Sequence, residues 1–171
     1  MKEANLNEIA QKAVRSLLPL DGRIRVKVEF VPEPLAIMAD KARMEEAVTI
    51  LIKSGAEAMP DGGVLTISTK LVGSQTNGRS LPVSSCALIS VADTGVGMDR
   101  VRMEGLFGPR RVEGGSRLSL AHSIIVRHSG CFEIESDPGK GTMIKIYLPM
   151  ITGGGGKSMG PLHPGRPSVE N

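Results

Sequence analysis

Apolar side chains recur along the chain with a helical period in four segments. The pattern predicts a helix over 5–20, a long helix over 40–63, a short helix over 99–107 and a helix over 117–130. Asp40 is the expected N-cap of the long helix. These segments supply the apolar stripes that a neighbouring layer must cover.

Other apolar positions alternate or form short runs, which predicts strands over 23–31, 34–40, 63–72, 131–137 and 142–149. Residues 85–95 barely alternate, so they predict a central strand that is buried on both faces. The polar stretch 73–84 is expected to be a loop.

The order of these elements predicts an α/β fold, a two-layer sandwich in which helices cover one face of a mixed sheet of about five strands. We expect one domain over residues 1–150. Residues 151–171 are rich in Gly and Pro, and we expect them to form a flexible tail.

Composition narrows the classes of function. Aromatic residues make up 2% of the chain and the net charge is +3, which argues against a nucleic-acid partner. Cys86 and Cys131 lie in apolar runs and are expected to be buried free thiols. Neither a signal peptide nor a transmembrane run is visible, so we expect a cytoplasmic location and no membrane contact from this segment.

The segment 91–100, VADTGVGMDR, carries the first candidate chemistry. The Asp93 carboxylate at the end of a buried strand can accept a hydrogen bond from an exocyclic amine. Gly95 and Gly97 would let a flat ring approach the backbone, because they carry no Cβ. A strand that runs into a glycine turn with a capping Asp is an equally good interpretation of these residues alone.

Two further segments are candidates for the rest of a site. In the long helix one stripe contains Glu46, Ile50, Ser54 and Glu57. Residues 112–130 place a glycine-containing loop before a helix, whose free N–H groups favour a phosphate. Taken singly, the first is also typical of a solvated helix face, and the second of an ordinary loop-to-helix junction.

Together, DTGVGM, LFGP and HSGCFEIESDPGKGTMIKIYLP resemble the catalytic, ATP-binding domain of sensor histidine kinases, of the GHKL (Bergerat) ATPase superfamily. The resemblance covers about residues 5–150. It implies that Asp93 binds the adenine amino group with Gly95 and Gly97 around the ring, and that Thr142 helps at the adenine through water. It also implies that Gly114, Gly115 and the preceding loop cover the phosphates.

The chain departs from the family pattern in the half that handles metal and phosphate. Ser54 stands where the family has the Asn that binds Mg²⁺, and Ile50 stands four residues earlier, where kinases often have another Asn. Glu57 matches an acidic residue common in the kinases. Arg117 and Ser119 replace two glycines of the second glycine box; Arg117 could block the phosphates or bind them through its guanidinium.

The resemblance implies that the chain holds Mg·ATP and presents the γ-phosphate to a histidine. His122, His128 and His163 lack the setting of a phosphoacceptor, so that histidine would lie on a separate dimerisation domain, upstream or in trans, with a response regulator as the further partner. Three alternatives stay open. They are a degenerate pseudokinase that docks a response regulator and binds nucleotide weakly or not at all, a serine kinase of the anti-sigma-factor type, and a domain for another small ligand.

Overall fold

The computed structural model describes residues 1–76, 79–106 and 115–151, without the side chains of 74–76, 79–84 and 116. The chain runs through β1 (Lys2–Asn5), α1 (Leu6–Leu17), β2 (Ile24–Glu29), β3 (Ala36–Ala39), α2 (Lys41–Glu57), β4 (Gly63–Thr76), β5 (Arg79–Asp93), α3 (Arg100–Gly105), α4 (Gly115–Arg127), β6 (Cys131–Asp137) and β7 (Gly141–Pro149).

The main sheet has five strands in the order β2-β4-β5-β7-β6. Strand β2 pairs with β4 in parallel, and the other neighbours pair antiparallel, so the sheet is mixed. Helices α1, α2 and α4 cover one face, and the core between the layers consists of aliphatic side chains such as Leu51, Ile89 and Ile125. The predicted two-layer fold is therefore confirmed.

The central position of β5 explains why its apolar residues do not alternate. Ile89 and Val91 belong to the core under the helices, whereas Cys86 and Leu88 form a second buried cluster with Tyr147. Side chains that point to opposite faces of the strand are thus both covered. This outcome confirms the prediction of a central strand buried on both sides.

Two expectations were wrong, and one strand was not predicted. The stretch 73–84 is not a loop, because β4 and β5 pair through much of it, with Gln75 opposite Ser80. Strand β1, which pairs with β3, was not expected at all, since four residues carry no readable alternation. Cys131 is exposed, and only Cys86 is buried, because Cys131 begins the edge strand β6.

The N-terminus of α2 is held by two side chains from different parts of the chain. Asp40 caps the helix, as predicted, because its Oδ1 accepts from the backbone N–H groups of Ala42 and Arg43. The buried ring of His128 accepts from the Asp40 backbone N–H through Nε2 at 3.0 Å. Its Nδ1 lies 2.7 Å from the carbonyl of Ile124, to which it donates when Nε2 is the acceptor. His128 thus links α4 to α2.

Residues 94–99 connect β5 to α3 and are tied to their surroundings by the backbone. The N–H of Val96 donates to the carbonyl of Ala58 at 3.1 Å, and the N–H of Gly139 donates to the carbonyl of Val96 at 2.7 Å. The N–H of Met98 donates to Ser136 Oγ at 2.8 Å. The segment is therefore held between the end of α2 and the β6–β7 turn.

Two glycines make this close packing possible. A Cβ at Gly95 would overlap the carbonyl of Ala58, and a Cβ at Gly97 would overlap the carbonyl of Asp137. Gly97 also has a φ of +66°, which lies in the left-handed region that side chains rarely adopt. The absence of a Cβ at both positions is required by the protein's own backbone.

No helix in the described part of the chain is both long enough and apolar enough to cross a membrane.

Replacing Gly97 by Ala should destabilise the fold strongly, because the new Cβ meets the backbone of Asp137 as well as the strain of a positive φ. We expect a loss of at least about 2 kcal/mol in the free energy of unfolding, measured with urea. Gly139→Ala is the matched control. Gly139 has a φ of +75° but nothing within 4 Å of the added Cβ, so it should lose only about 1 kcal/mol. Equal losses would contradict the packing argument.

Replacing His128 by Leu should remove the link between α4 and the cap of α2. The loss of two buried hydrogen bonds is expected to cost about 1–3 kcal/mol. Amide hydrogen exchange gives a local readout, because the Asp40 N–H loses its acceptor and should exchange faster relative to global unfolding. An unchanged relative exchange rate at Asp40 would show that the imidazole does not hold this cap.

Candidate functional site

A cavity of about 200 Å³ opens between α2, α4 and the ends of β5 and β7. Its walls are mainly apolar and include Leu51, Val91, Val96, Met98, Leu106, Leu118 and Ile144. The polar side chains that line it are Ser54, Glu57, Asp93, Arg102 and Thr142. Apolar walls with a few convergent polar groups are typical of a small-molecule site.

Asp93 is the last residue of β5, and its carboxylate is oriented by the backbone. Oδ1 accepts from the backbone N–H of Gly95 at 2.8 Å. Burial raises the pKa of Asp93 above its usual value of 3.8, while the backbone N–H groups of Gly95 and Thr142 act in the opposite direction. The result is an oriented, partly desolvated acceptor in the wall of the cavity.

Thr142 lies directly across the ladder from Asp93, on β7, and is buried. Its Oγ1 is 2.8 Å from Ser136 Oγ, which also accepts from the backbone N–H of Met98. Ser136 therefore joins the floor of the cavity to the segment that carries Gly97. Sequence reasoning missed Ser136, because a lone Ser on an edge strand gives no signal without its partners.

Gly95 and Gly97 lie where the sequence predicted, but the structure gives a different reason for them. The space that a Cβ would fill is occupied by the carbonyls of Ala58 and Asp137, rather than left open for a ring. Gly97 lines the cavity, and Gly95 does not belong to its lining. The two glycines position Asp93 and the cavity wall by allowing the chain to pack tightly.

Helix α2 brings Ser54 and Glu57 to the cavity, but the predicted stripe does not stay together. Ile50 is buried in the core, and Glu46 pairs with Arg43 at 2.9 Å instead of facing the cavity. Sequence reasoning did not place Gly55 in the site, but Gly55 lines the cavity, and a Cβ added to it would lie 3.7 Å from Asp93 Oδ2. The helix therefore passes close to the carboxylate.

Arg117 lies in the first turn of α4 and points across to α2. Its guanidinium Nη1 is 2.7 Å from Glu57 Oε1, which makes an ion pair between residues of the two helices. Ser119, the other residue that replaces a glycine, donates to the carbonyl of Leu106 at 2.9 Å. Arg102 is a residue of the cavity lining, which Arg117 is not, and sequence reasoning did not select it.

Some predicted residues cannot be compared with the structure. Gly114 and residues 107–113, which include the expected lid, lie outside the described residues, as does His163. Gly115 is the first residue of α4. His122 packs edge-on against Phe132, with ring centroids 5.6 Å apart, and its burial lowers its pKa. His122 and His128 therefore have packing roles.

The donor set around the cavity fits Mg²⁺ poorly. Ser54 offers a hydroxyl group, and the carboxylate of Glu57 is already engaged by Arg117. Within residues 1–76, 79–106 and 115–151, no three His, Cys, Asp or Glu residues are grouped closely enough to hold a metal ion. Mg²⁺ in nucleotide sites usually needs one or two protein carboxylates besides the phosphates.

Comparison with known proteins is consistent with this geometry. Residues 39–152, more than half of the chain, match the family described as histidine kinase-, DNA gyrase B-, and HSP90-like ATPase. Sporulation kinase C of Bacillus subtilis (strain 168) is 32% identical over 157 residues, which cover 87% of this chain and 34% of that protein. Sporulation kinase B of the same organism is 35% identical over 130 residues, which cover 72% of this chain and 28% of that protein.

Solved structures agree on the fold. The mycobacterial sensor histidine kinase MprB superposes with a TM-score of 0.69 at 20% identity, covering 87% of this chain and 97% of that one. The catalytic domain of histidine kinase ThkA gives a TM-score of 0.69 at 22% identity, and the superposition covers 87% of this chain and 96% of that one. At these identities the likeness establishes the fold alone.

This chain spans about a third of the length of the curated relatives named above. The chain belongs to the histidine kinase-, DNA gyrase B-, and HSP90-like ATPase family.

Proposed function

We propose that the cavity binds the adenine of ATP or ADP, with its exocyclic amine on the Asp93 carboxylate and Thr142 beside it. The observation that carries this proposal is the orientation of Asp93. The backbone N–H of Gly95 fixes the carboxylate in the cavity wall, where it keeps acceptor capacity for a donor. Apolar side chains such as Leu51 and Met98 would pack on the faces of the base.

The size of the cavity indicates that it would hold the base of the nucleotide and leave the phosphates outside it. At about 200 Å³ it is smaller than pockets that enclose a drug-sized ligand, which measure about 300–1,000 Å³. It suits the base, so the phosphates would extend to the rim between α2 and α4. Ser54 and Glu57 line the cavity, and Arg117 pairs with Glu57. From the family resemblance we also expect Gly114 and Gly115 to contact the phosphates.

The proposed reaction is phosphoryl transfer from ATP to a histidine of a separate helical domain, in the same protein or in trans. The bond from the γ-phosphorus to its bridging oxygen breaks, a nitrogen–phosphorus bond forms, and ADP leaves. Catalysis of this kind depends on positioning and on neutralising charge. A response regulator would then accept the phosphoryl group, and we expect these steps in the cytoplasm.

A second candidate is a docking module that binds nucleotide without transferring phosphate. Two observations favour it: Ile50 is packed in the core, and Glu57 is paired with Arg117. If Mg²⁺ participates, Ser54 and the nucleotide phosphates would hold it. Incubation with labelled ATP and a phosphoacceptor domain from a related kinase distinguishes the two candidates. Labelled phosphohistidine supports the kinase, whereas nucleotide binding without label supports the module.

Asp93→Asn should lower the affinity for ADP by about 10–100-fold, measured by calorimetric titration. The Asn side chain has one acceptor oxygen, and the Gly95 N–H, now 2.8 Å from Asp93 Oδ1, should keep that oxygen as its partner. The NH₂ group then takes the place of the second carboxylate oxygen. Two donors, this NH₂ group and the adenine amine, would face each other without an acceptor. Asp61→Asn, an exposed carboxylate outside the cavity lining, is the control and should bind as wild type. Unchanged affinity in Asp93→Asn would remove the adenine assignment.

The same substitution should make the domain more stable at neutral pH. Burial raises the pKa of Asp93 in the native state above 3.8, its usual value. At a pH below 3.8, the protonated carboxyl therefore contributes its full stabilisation of the native state. This stabilisation is lost as the pH rises through the higher native pKa. Urea unfolding at pH 7 and near pH 4 should show an advantage for Asp93→Asn that shrinks toward acid. A variant less stable than wild type at pH 7 would contradict the cost of burial.

A further inference from the structure

We propose that Arg117 is a phosphate ligand of the nucleotide site, and that the phosphates take its guanidinium from Glu57 on binding. In the described structure the Arg117–Glu57 ion pair bridges α4 and α2 at the rim of the cavity. The inference rests on the proposed function, because it assumes that the base lies at Asp93. It adds that Arg117 determines specificity for the phosphorylated form of the ligand.

The position of the pair carries the argument. Glu57 lines the cavity, and its partner Arg117 reaches it from the first turn of α4, with Nη1 and Oε1 2.7 Å apart. The guanidinium therefore lies next to a residue of the cavity lining, and the phosphates of a base-bound nucleotide would extend toward it. The ion pair with Glu57 keeps the Arg117 guanidinium at this rim before any ligand binds.

The energetics allow the exchange. The side chains of Arg117 and Glu57 are 58% and 61% exposed, and exposed ion pairs of this kind are weak. A guanidinium binds phosphate through two parallel N–H donors, which is a stronger contact. The incoming phosphates also carry more negative charge than the single carboxylate they displace. The pair is thus weak enough to open, and it keeps Arg117 near its ligand.

This exchange has a consequence for the role of metal. Ser54 offers only a hydroxyl, and within the described part of the chain no three His, Cys, Asp or Glu residues are grouped closely enough to hold a metal ion, so the protein supplies few oxygen ligands for Mg²⁺ at the rim. Arg117, with Arg102 in the lining, supplies positive charge at the place where phosphates arrive. We therefore expect ADP to bind nearly as well in EDTA as in Mg²⁺.

The experiment titrates adenosine and ADP into the domain, in Mg²⁺ and in EDTA. Arg117→Ala should weaken ADP binding by about 10-fold and leave adenosine within about two-fold, because adenosine has no phosphate. Glu57→Gln should tighten ADP binding by about three-fold, since it releases Arg117. Much of that gain should disappear when Arg117 is already Ala.

The control is Arg43→Ala, which removes one positive charge from an exposed ion pair with Glu46 in the first turns of α2. It should leave both affinities unchanged. Tighter ADP binding in Arg117→Ala would overturn the inference in favour of a blocking side chain, and equal losses for adenosine and ADP would overturn it in favour of a structural role. ADP binding that needs Mg²⁺ would overturn the charge argument. If wild type binds neither adenosine nor ADP, the proposed function fails first.

Discussion

The close approach of residues 95–97 to two neighbouring carbonyls is the constraint on which the site depends. One side of this segment is bonded to the end of α2 through Ala58, and the other to the β6–β7 turn through Gly139. Only glycine fits at Gly95 and Gly97, because any Cβ would overlap backbone. The carboxylate of Asp93, bonded to the N–H of Gly95, is oriented by the same packing.

This constraint gives the two halves of the cavity different characters. The half around the half-buried Asp93 and the buried Thr142 is held by backbone hydrogen bonds, so it exists before any ligand binds. The half between Glu57 and Arg117 consists of exposed side chains joined by an ion pair. A preorganised base site costs little reorganisation on binding. On binding of phosphates, Arg117 would exchange Glu57 for a phosphate group, so the affinity of this half depends on the charges of these side chains.

Sequence patterns could predict the sheet, the helices and the position of Asp93 at the end of a buried strand, because these depend on periodicity and on a short motif. They could not predict strand pairing through 73–84, since its polar residues hide the alternation. The reason for Gly97 was also out of reach, because the clashing carbonyl belongs to Asp137, forty residues away in the chain. The pairing of Arg117 with Glu57 depends on how α4 lies against α2, which no local pattern records.

A crystal structure of the domain grown with ADP tests the account most directly. We predict that the exocyclic amine of adenine lies within about 3 Å of the Asp93 carboxylate. The hydrogen bonds of Val96 with Ala58 and Gly139 should be kept, because the base site is already formed. A base bound away from Asp93, or a segment 94–99 that detaches from α2 to admit it, would contradict the account.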